Sequence, residues 1–552
     1  MHFYGSKAII MLADYFGLPD WASEQRTAVI IGFGLMAIGF PAACFWAKKI
    51  YPYIQILSGV FWKRIKEIVI LLGIYILGIS AILRGNINYI DDIGRIIKGT
   101  PILGNYSRFF SDLMAGLFHS NRFLTDISPL PQIIAVIIMA LAGSILLEVF
   151  SEDDMINPLQ TIALTPMALS PWFLACLSYK YDAPYMAMSV FVSILPILYK
   201  EYNTKRYIII TIISTIVMCT TYQASSGIFP MMVTIVALIM AVNTNDIMTA
   251  ILYALKSAIG YMVGLIVFYV FVAEPVPSSE YAGTGINIKY FFSNLKRCVL
   301  RIIDDMTIIW AILVVVIFIS FIFVLLRTGM MTLSHKIPLV ISTVILAAVL
   351  SFGAYLFLEK PIVSSRSLYS MGIVLAVMSC VIFGNRDCKN IPGKLAAIML
   401  CWTFFSFAFT YGNALSQQQQ YEEFRKIVLA TDLAELKTNL ENDKTELKIR
   451  GNVGLARSVR KISEQYPVLR KNICILLQNS SWGPCTLLPY CELDTVYKEE
   501  SSTERKMEID TSEFSVLKKS LYHTIYDGGD YIVVKLRNLE AEKEKQEVNE
   551  QD

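Results

Sequence analysis

Long apolar runs, separated by short polar stretches, dominate the first three quarters of the chain. The pattern predicts membrane spans at 27–46, 67–83, 130–149, 158–177, 184–200, 207–222, 226–242, 249–273, 302–326, 337–358, 369–384 and 395–413. Runs of about 17–25 apolar residues match the ~30 Å hydrocarbon core of a bilayer. Backbone in lipid has to satisfy its own hydrogen bonds, so each run reads as a helix. The stretch 105–120, NYSRFFSDLMAGLFHS, is too short and too polar to span. Phe109, Phe110, Leu113 and Leu117 gather on one face, which predicts a helix lying in the interface.

After residue 413 the pattern changes. SQQQQYEEFRK opens a polar region in which FRKIVLATDLAELKTNL reads as an amphipathic helix. Its apolar positions are Ile427, Ala430, Leu433, Leu436 and Leu440. ELKIR, CILLQ and YIVVKL read as short strands, LARSVRKISEQY as a further helix, and EAEKEKQEVNEQD as a disordered end. The expected fold is an all-α polytopic membrane protein with about 11–12 transmembrane helices and a small C-terminal α/β domain. The expected parts are an N-terminal extension (1–66) with one apolar segment and a basic linker, a transmembrane domain (67–413) and a soluble domain (414–552).

Composition agrees. Hydrophobic residues make up 55% of the 552 and charged ones only 17%, with a mean hydropathy of +0.53. The net charge of +3 says little about partners, and no basic stretch interleaved with aromatics suggests nucleic acid. The first residues, MHFYGSKAIIMLADYFGLPDW, lack the pattern of a cleaved signal peptide. Of ten cysteines, seven lie in or beside apolar segments, and no pair has CxxC spacing. The four histidines are scattered and offer no metal-ligand cluster.

Charge then orients the chain. The linker 47–66 carries five Lys or Arg and suits the cytoplasm, as do the loops KEYNTKR and GNRDCKNIPGK. Ten crossings separate the loop holding Asp91 from the C-terminal domain, so both are expected outside. There Cys485 and Cys491 can pair or stay reduced. The outer loops gather Asp91, Asp92, Arg95, Arg108, Asp126, Lys180, Asp182, Glu274, Lys360 and Arg366 from distant parts of the sequence. Lys256 is the main ionisable residue deep in a span, whereas an ion-coupled transporter wants several near the midplane.

Acid, base and cations at the lipid–water boundary suit glycosyl transfer from a lipid-linked sugar phosphate. A carboxylate takes the proton of the acceptor hydroxyl. Cations stabilise the departing phosphate. One base with direct displacement inverts the anomeric carbon, and a double displacement needs a second carboxylate on the opposite face. Asp91 and Asp92 are neighbours, so one can be the base while the other orients it or binds an acceptor hydroxyl. Read singly, the candidates have plainer meanings. A DD pair at a helix exit is often a solvated boundary. Arg95 and Arg108 can be interfacial anchors, Lys180 and Asp182 a salt-bridged turn, and Tyr222 and Gln223 a helix end.

YIDDIGR, then DISPLPQIIAVIIMALAG (126–143) and LSYKYDAPYMAMSVFVSILP (177–196), resemble the type-specific glucosyltransferases of bacterial O-antigen modification, the Gtr serotype-conversion family. The resemblance covers about residues 67 to 415. It implies a GT-C glycosyltransferase fold in the inner membrane of a Gram-negative bacterium, with the catalytic acid in the first external loop. It implies undecaprenyl-phosphate-glucose as donor, a partner flippase that delivers it, and an O-antigen sugar in lipopolysaccharide as acceptor. The family's paired acid falls on Asp91 and Asp92, its following Arg on Arg95, and its second-loop Lys and Asp on Lys180 and Asp182. Arg108, Lys360 and Arg366 are added as phosphate ligands on chemistry alone, and Tyr222 and Gln223 join Asp182 as sugar-binding candidates. No cofactor is expected. A divalent cation on the acid pair is the less favoured arrangement, since Arg and Lys supply positive charge themselves. The extension 1–66 departs from the family pattern. A lipid-linked sugar flippase or exporter and an O-antigen polymerase are the competing readings.

Overall fold

The computed structural model describes the chain apart from residues 1–50, 100–105, 122, 152–155, 274–284, 386–387, 438–445, 481–482, 488–501 and 542–552. The expected span 27–46, Glu274, Leu440, Cys491 and the end of the chain therefore lie outside the described residues. The chain divides into two compact units, Met1–Ile65 and Lys66–Asp552. In the first, residues 51–63 are helical.

In the second unit the apolar runs are helices. Eight are long and apolar enough to cross a membrane: Ile65–Gly85, Leu130–Phe150, Thr204–Thr221, Gln223–Thr244, Ile247–Phe271, Ile308–Arg327, Leu333–Leu350 and Ile391–Leu436. Another is broken, with Pro158–Leu169 and Pro171–Leu177 meeting at 62°. Proline explains the break. Pro158, Pro166 and Pro171 each start a helical segment and offer no N–H to the turn before. Ala183–Tyr199 and Ser370–Gly384 are apolar but short. Every span expected after residue 66 is mainly helical, although the one expected at 302–326 starts only at Ile308, because extended backbone at Met306 and Thr307 separates it from the helix Phe291–Asp305. Among the described residues eight of the eleven spans expected after residue 66 are of full crossing length, because 158–177 is bent and two others are clipped. The protein is a polytopic membrane protein.

Leu130–Phe150 and Gln223–Thr244 are buried among their neighbours. Ile247–Phe271 and Leu333–Leu350 instead turn Ile251, Leu255, Ile266, Ile341 and Ile345 outward, as suits helices facing lipid. Lys256 is held at its ammonium by the Lys200 carbonyl at 2.9 Å. The helix Phe109–His119 packs Met114 and Ala115 inward and exposes Phe109, Leu113 and Leu117. Phe110 differs from expectation and turns in towards Tyr181 and Tyr185.

The composition shift at 413 does not end a helix. Ile391–Lys437 runs unbroken for 47 residues, about 70 Å at 1.5 Å per residue. Beyond Gly412 it has no Gly or Pro, and Gln and Glu are good helix formers. Gln418 bonds Glu422 and Gln419 bonds Glu423, one turn on, at 2.9 and 2.8 Å. Its far end becomes the central helix of the C-terminal domain. There Leu429 and Leu433 pack against Leu447, Ile449, Val534 and Leu536. Ile427, expected on that face, is exposed.

The domain's sheet has the order β1-β4-β3-β2. The strands are β1 (Glu446–Arg450), β2 (Ser515–Lys519), β3 (His523–Asp527) and β4 (Tyr531–Leu536). β1 pairs parallel with β4 and the other pairs are antiparallel. ELKIR and YIVVKL are strands as expected, but CILLQ is not. The Leu476 and Leu477 N–H groups that would join a ladder donate to the Glu422 carboxylate, both at 2.9 Å.

Candidate active site at the ends of the helices

The acid pair sits on a tight turn. After Gly85 the chain reverses, with Asn86 and Ile90 both at φ +45°. That region is costly for a β-branched residue. Asp92 holds the turn. Its carboxylate accepts from the Tyr89 N–H at 2.8 Å, the Lys180 N–H at 3.1 Å and the Tyr181 N–H at 3.4 Å. It is 1% exposed. Burial pushes its pKa up to about 8, against the pull of the three amides.

Asp91 is built differently. It stands at the N-cap position of the helix Asp92–Lys98 yet makes no capping bond. Its side chain is 40% exposed and lies 3.7 Å from the Arg366 guanidinium. Burial raises its pKa. Arg366 works against that rise, Asp182 adds to it, and Arg95 and Arg108 pull it down. A carboxylate above its ordinary range, reachable and unspent, suits proton abstraction.

Arg366 projects from a single turn, Ser365–Ser367, between two buried serines. The Ser364 N–H donates to the Ser367 hydroxyl at 3.1 Å and the Ser367 N–H returns to the Ser364 carbonyl at 2.9 Å. The Arg366 guanidinium donates to the Tyr179 hydroxyl. Its carbonyl accepts from the Tyr222 hydroxyl at 3.3 Å. Arg108 lies over the Tyr222 ring at 4.8 Å and donates to the Gln223 amide oxygen at 3.3 Å. The Gln223 amide nitrogen donates to the Tyr106 carbonyl at 3.1 Å. The backbone just after Gln223, at Ser226–Gly227, touches the backbone at Leu350–Gly353. A methyl group on Gly227 or Gly353 would overlap the facing chain, and Gly353 also needs φ +55°.

Beneath this layer the charges are paired, and all but the exposed Asp126 are buried. One Arg95 nitrogen lies 3.1 Å from both Asp182 oxygens. The Lys180 ammonium meets Asp126 at 3.1 Å. Lys360 is exposed on the turn before Pro361 and joins no part of this network among the described residues. The other sequence candidates therefore converge on one end of the helix bundle and Lys360 stands apart.

The C-terminal domain closes one side. The Tyr89 hydroxyl donates to the Asn472 carbonyl at 2.7 Å, and the Asn472 amide donates to the Pro171 carbonyl at 3.2 Å. Next to it Lys471 pairs at 3.1 Å with the fully buried Asp305, which also takes the Trp172 indole N–H and Arg301. Tyr89, Tyr179, Asn472 and Asp305 were not among the sequence candidates. Tyr179 was within reach, alternating with the charges in YKYD; Asn472 lies in a segment with no motif of its own. Among the described residues no three His, Cys, Asp or Glu side chains are grouped to hold a metal ion. The Asp92 oxygens are taken up by backbone N–H groups rather than turned towards Asp91.

Comparison with known families matches residues 80–380 to the family described as Glucosyl transferase GtrII. The match covers the acid pair, the YKYD loop and Arg366. A 55.3 kDa protein of Salmonella phage P22, described as uncharacterized and in the gtrB 5′ region, is 27% identical over 428 residues, 74% of this chain and 87% of that protein. No solved structure matches.

Proposed function

The chain belongs to the glucosyl transferase GtrII family, and on that premise we propose that it moves glucose from undecaprenyl-phosphate-glucose to a sugar of lipopolysaccharide O-antigen. Asp91 is the base. A polyprenyl donor cannot leave the bilayer, so its reacting carbon lies at headgroup level, and the polar cluster lies at the ends of the spans. Asp91 takes the proton of the acceptor hydroxyl as that oxygen attacks the anomeric carbon. The bond to the phosphate oxygen breaks, and Arg366, with Arg108 beside it, stabilises the charge that develops there.

Asp92 is a positioning residue that fixes the turn presenting Asp91. Asp92 and Asp182 are buried and already bonded, so neither is placed to serve as a nucleophile. That supports a single displacement with inversion. The positive charge of the linker 47–66 and of the loops KEYNTKR and GNRDCKNIPGK supports a cluster that faces the periplasm of a Gram-negative inner membrane. A partner flippase delivers the donor there. The observation that carries the reading is the half-open Asp91–Arg366 pair beside a sealed Asp92.

The test is glucose transfer in membranes supplied with radiolabelled undecaprenyl-phosphate-glucose and O-antigen. The glycan gains one hexose per modified repeat, with the anomeric configuration inverted. Asp91→Asn inserts normally and transfers nothing. A glycan of unchanged mass with the intact chain, or full transfer by Asp91→Asn, overturns the reading.

A further inference from the structure

The helix Phe291–Asp305 packs on the protein through one stripe, Asn294, Cys298, Ile302 and Asp305. Both ends of that stripe are pinned at the ends of spans. The Asn294 amide donates to the Tyr355, Leu356 and Leu358 carbonyls at 3.2, 3.3 and 2.8 Å, just past the span Leu333–Leu350. Asp305 takes the Trp172 indole and Lys471, and only Met306 and Thr307 separate it from the span Ile308–Arg327. The helix therefore runs across the ends of the spans rather than through the bilayer.

A second stripe is apolar and bare. Phe292, Val299 and Ile303 stand at i, i+7 and i+11, one above another on a helix face. Phe292 is 79% exposed and Ile303 59%. Ile308, Ile309 and Ile312, which open the next span, are likewise exposed and face lipid. A third face carries the exposed Arg297 and Asp304. Lys296 borders the apolar stripe, so its stem can lie along lipid while the ammonium reaches a headgroup phosphate. One face on protein, one apolar and one charged is the pattern of a helix lying in the headgroup plane. A stripe of this kind bared to water would be an unsatisfied apolar patch.

We propose that this helix lies on the bilayer at the site's end of the spans, its Phe292 stripe among acyl chains and its cations among headgroup phosphates, and that it so sets the height of Arg366. The link is on its far side. Arg301 meets Asp305 at 3.0 Å and donates at 3.5 Å to the hydroxyl of the buried Ser365, the residue before Arg366. A lipid-linked donor brings its phosphate at headgroup level, so a helix resting on that same surface levels the cation that meets it. This second part rests on the glucosyl-transfer reading; the placement on lipid does not.

The test uses the full chain in lipid nanodiscs. Nitroxide labels are attached one at a time to Phe292→Cys, Ile303→Cys, Arg297→Cys and Asp304→Cys, and the labelled unaltered protein gives the background of the native cysteines. Oxygen, which concentrates in lipid, relaxes the labels at 292 and 303 more than a water-soluble nickel chelate does. The order reverses at 297 and 304. One order at all four positions, or chelate-dominated labels at 292 and 303, overturns the proposal. In the transfer assay Phe292→Ser/Ile303→Ser raises the donor KM about tenfold, the worth of one weakened charge-assisted hydrogen bond, and leaves the acceptor KM in place. Phe292→Leu/Ile303→Leu keeps the apolar stripe and behaves as the unaltered protein. A single elution peak and an unshifted Tm exclude misfolding. An unchanged donor KM in the serine variant overturns the link to Arg366. Labels in the expected order without any transfer by the intact protein support the surface helix and overturn the glucosyl-transfer reading instead.

Discussion

Asp91 and Asp92 are neighbours in the chain and belong to two different regions of the molecule. Asp91 opens onto a partly exposed layer with Arg366, Tyr179, Tyr222 and Arg108. Asp92 faces a sealed layer with Arg95, Asp182 and Lys180, where each charge or carboxylate has its partner. The same side chain meets different surroundings in the two. What separates them is whether a carboxylate still has an oxygen to offer and a path for substrate to reach it. Charge count alone does not distinguish them, since both layers hold acids and cations.

Substitutions can break this contrast. The largest effect is expected from Asp91→Asn, which lowers kcat by about 10²–10⁴-fold, the usual worth of a general base, and leaves Tm in place. With the intact protein, activity is lost as pH falls through the raised Asp91 pKa, and Arg366→Ala moves that limb to higher pH by removing a cation that holds it down. Arg95→Met comes next. It strands Asp182 and costs about 3–5 kcal/mol of stability in denaturant unfolding, and Asp182→Leu added to it recovers part of the loss. If Arg95→Met left stability intact and removed activity alone, the sealed layer would be part of the chemistry.

Asp92→Asn is expected to cost about 1–3 kcal/mol, since one of the amide bonds must fail. Its signature is in the pH dependence. A folded-state pKa of about 8, set against an ordinary value of about 3.9, contributes stability that is full below pH 4. That stability is lost as pH rises through 8. Tm of the intact protein therefore falls over that window, and the slope flattens in Asp92→Asn. The smallest effect belongs to Lys360→Ala, exposed and outside both layers, which changes kcat/KM by less than about twofold.

Much of this was legible in the sequence, for identifiable reasons. Apolar runs announce helices because lipid permits little else, and YIDDIGR and YKYD announce a candidate site because acids and cations from distant segments gather at one end of the spans. What pattern did not give was the difference in surroundings between the two members of the pair. It depends on Ile90 adopting a left-handed turn and on amide groups 88 residues away closing over Asp92. Lys360 looked equivalent to Arg366 because both are basic and close in sequence, yet only Arg366 is clamped by a capped turn. CILLQ has every mark of a strand, and a single glutamate on another element takes its donors. Local composition sees the donors and not the competitor.

The unbroken helix Ile391–Lys437 joins the membrane-spanning part and the C-terminal domain like the shank of a screw. Each residue along it advances about 1.5 Å and turns about 100°. The angular setting of the domain is thus written in the length of the stretch between Gly412 and Gln418. One residue added there swings Asn472 a quarter-turn or more away from Tyr89, whereas adding seven restores the facing and moves the domain about 10 Å further along the helix axis. Evolution can lengthen or shorten this shank only in whole-turn increments without misaligning what it carries.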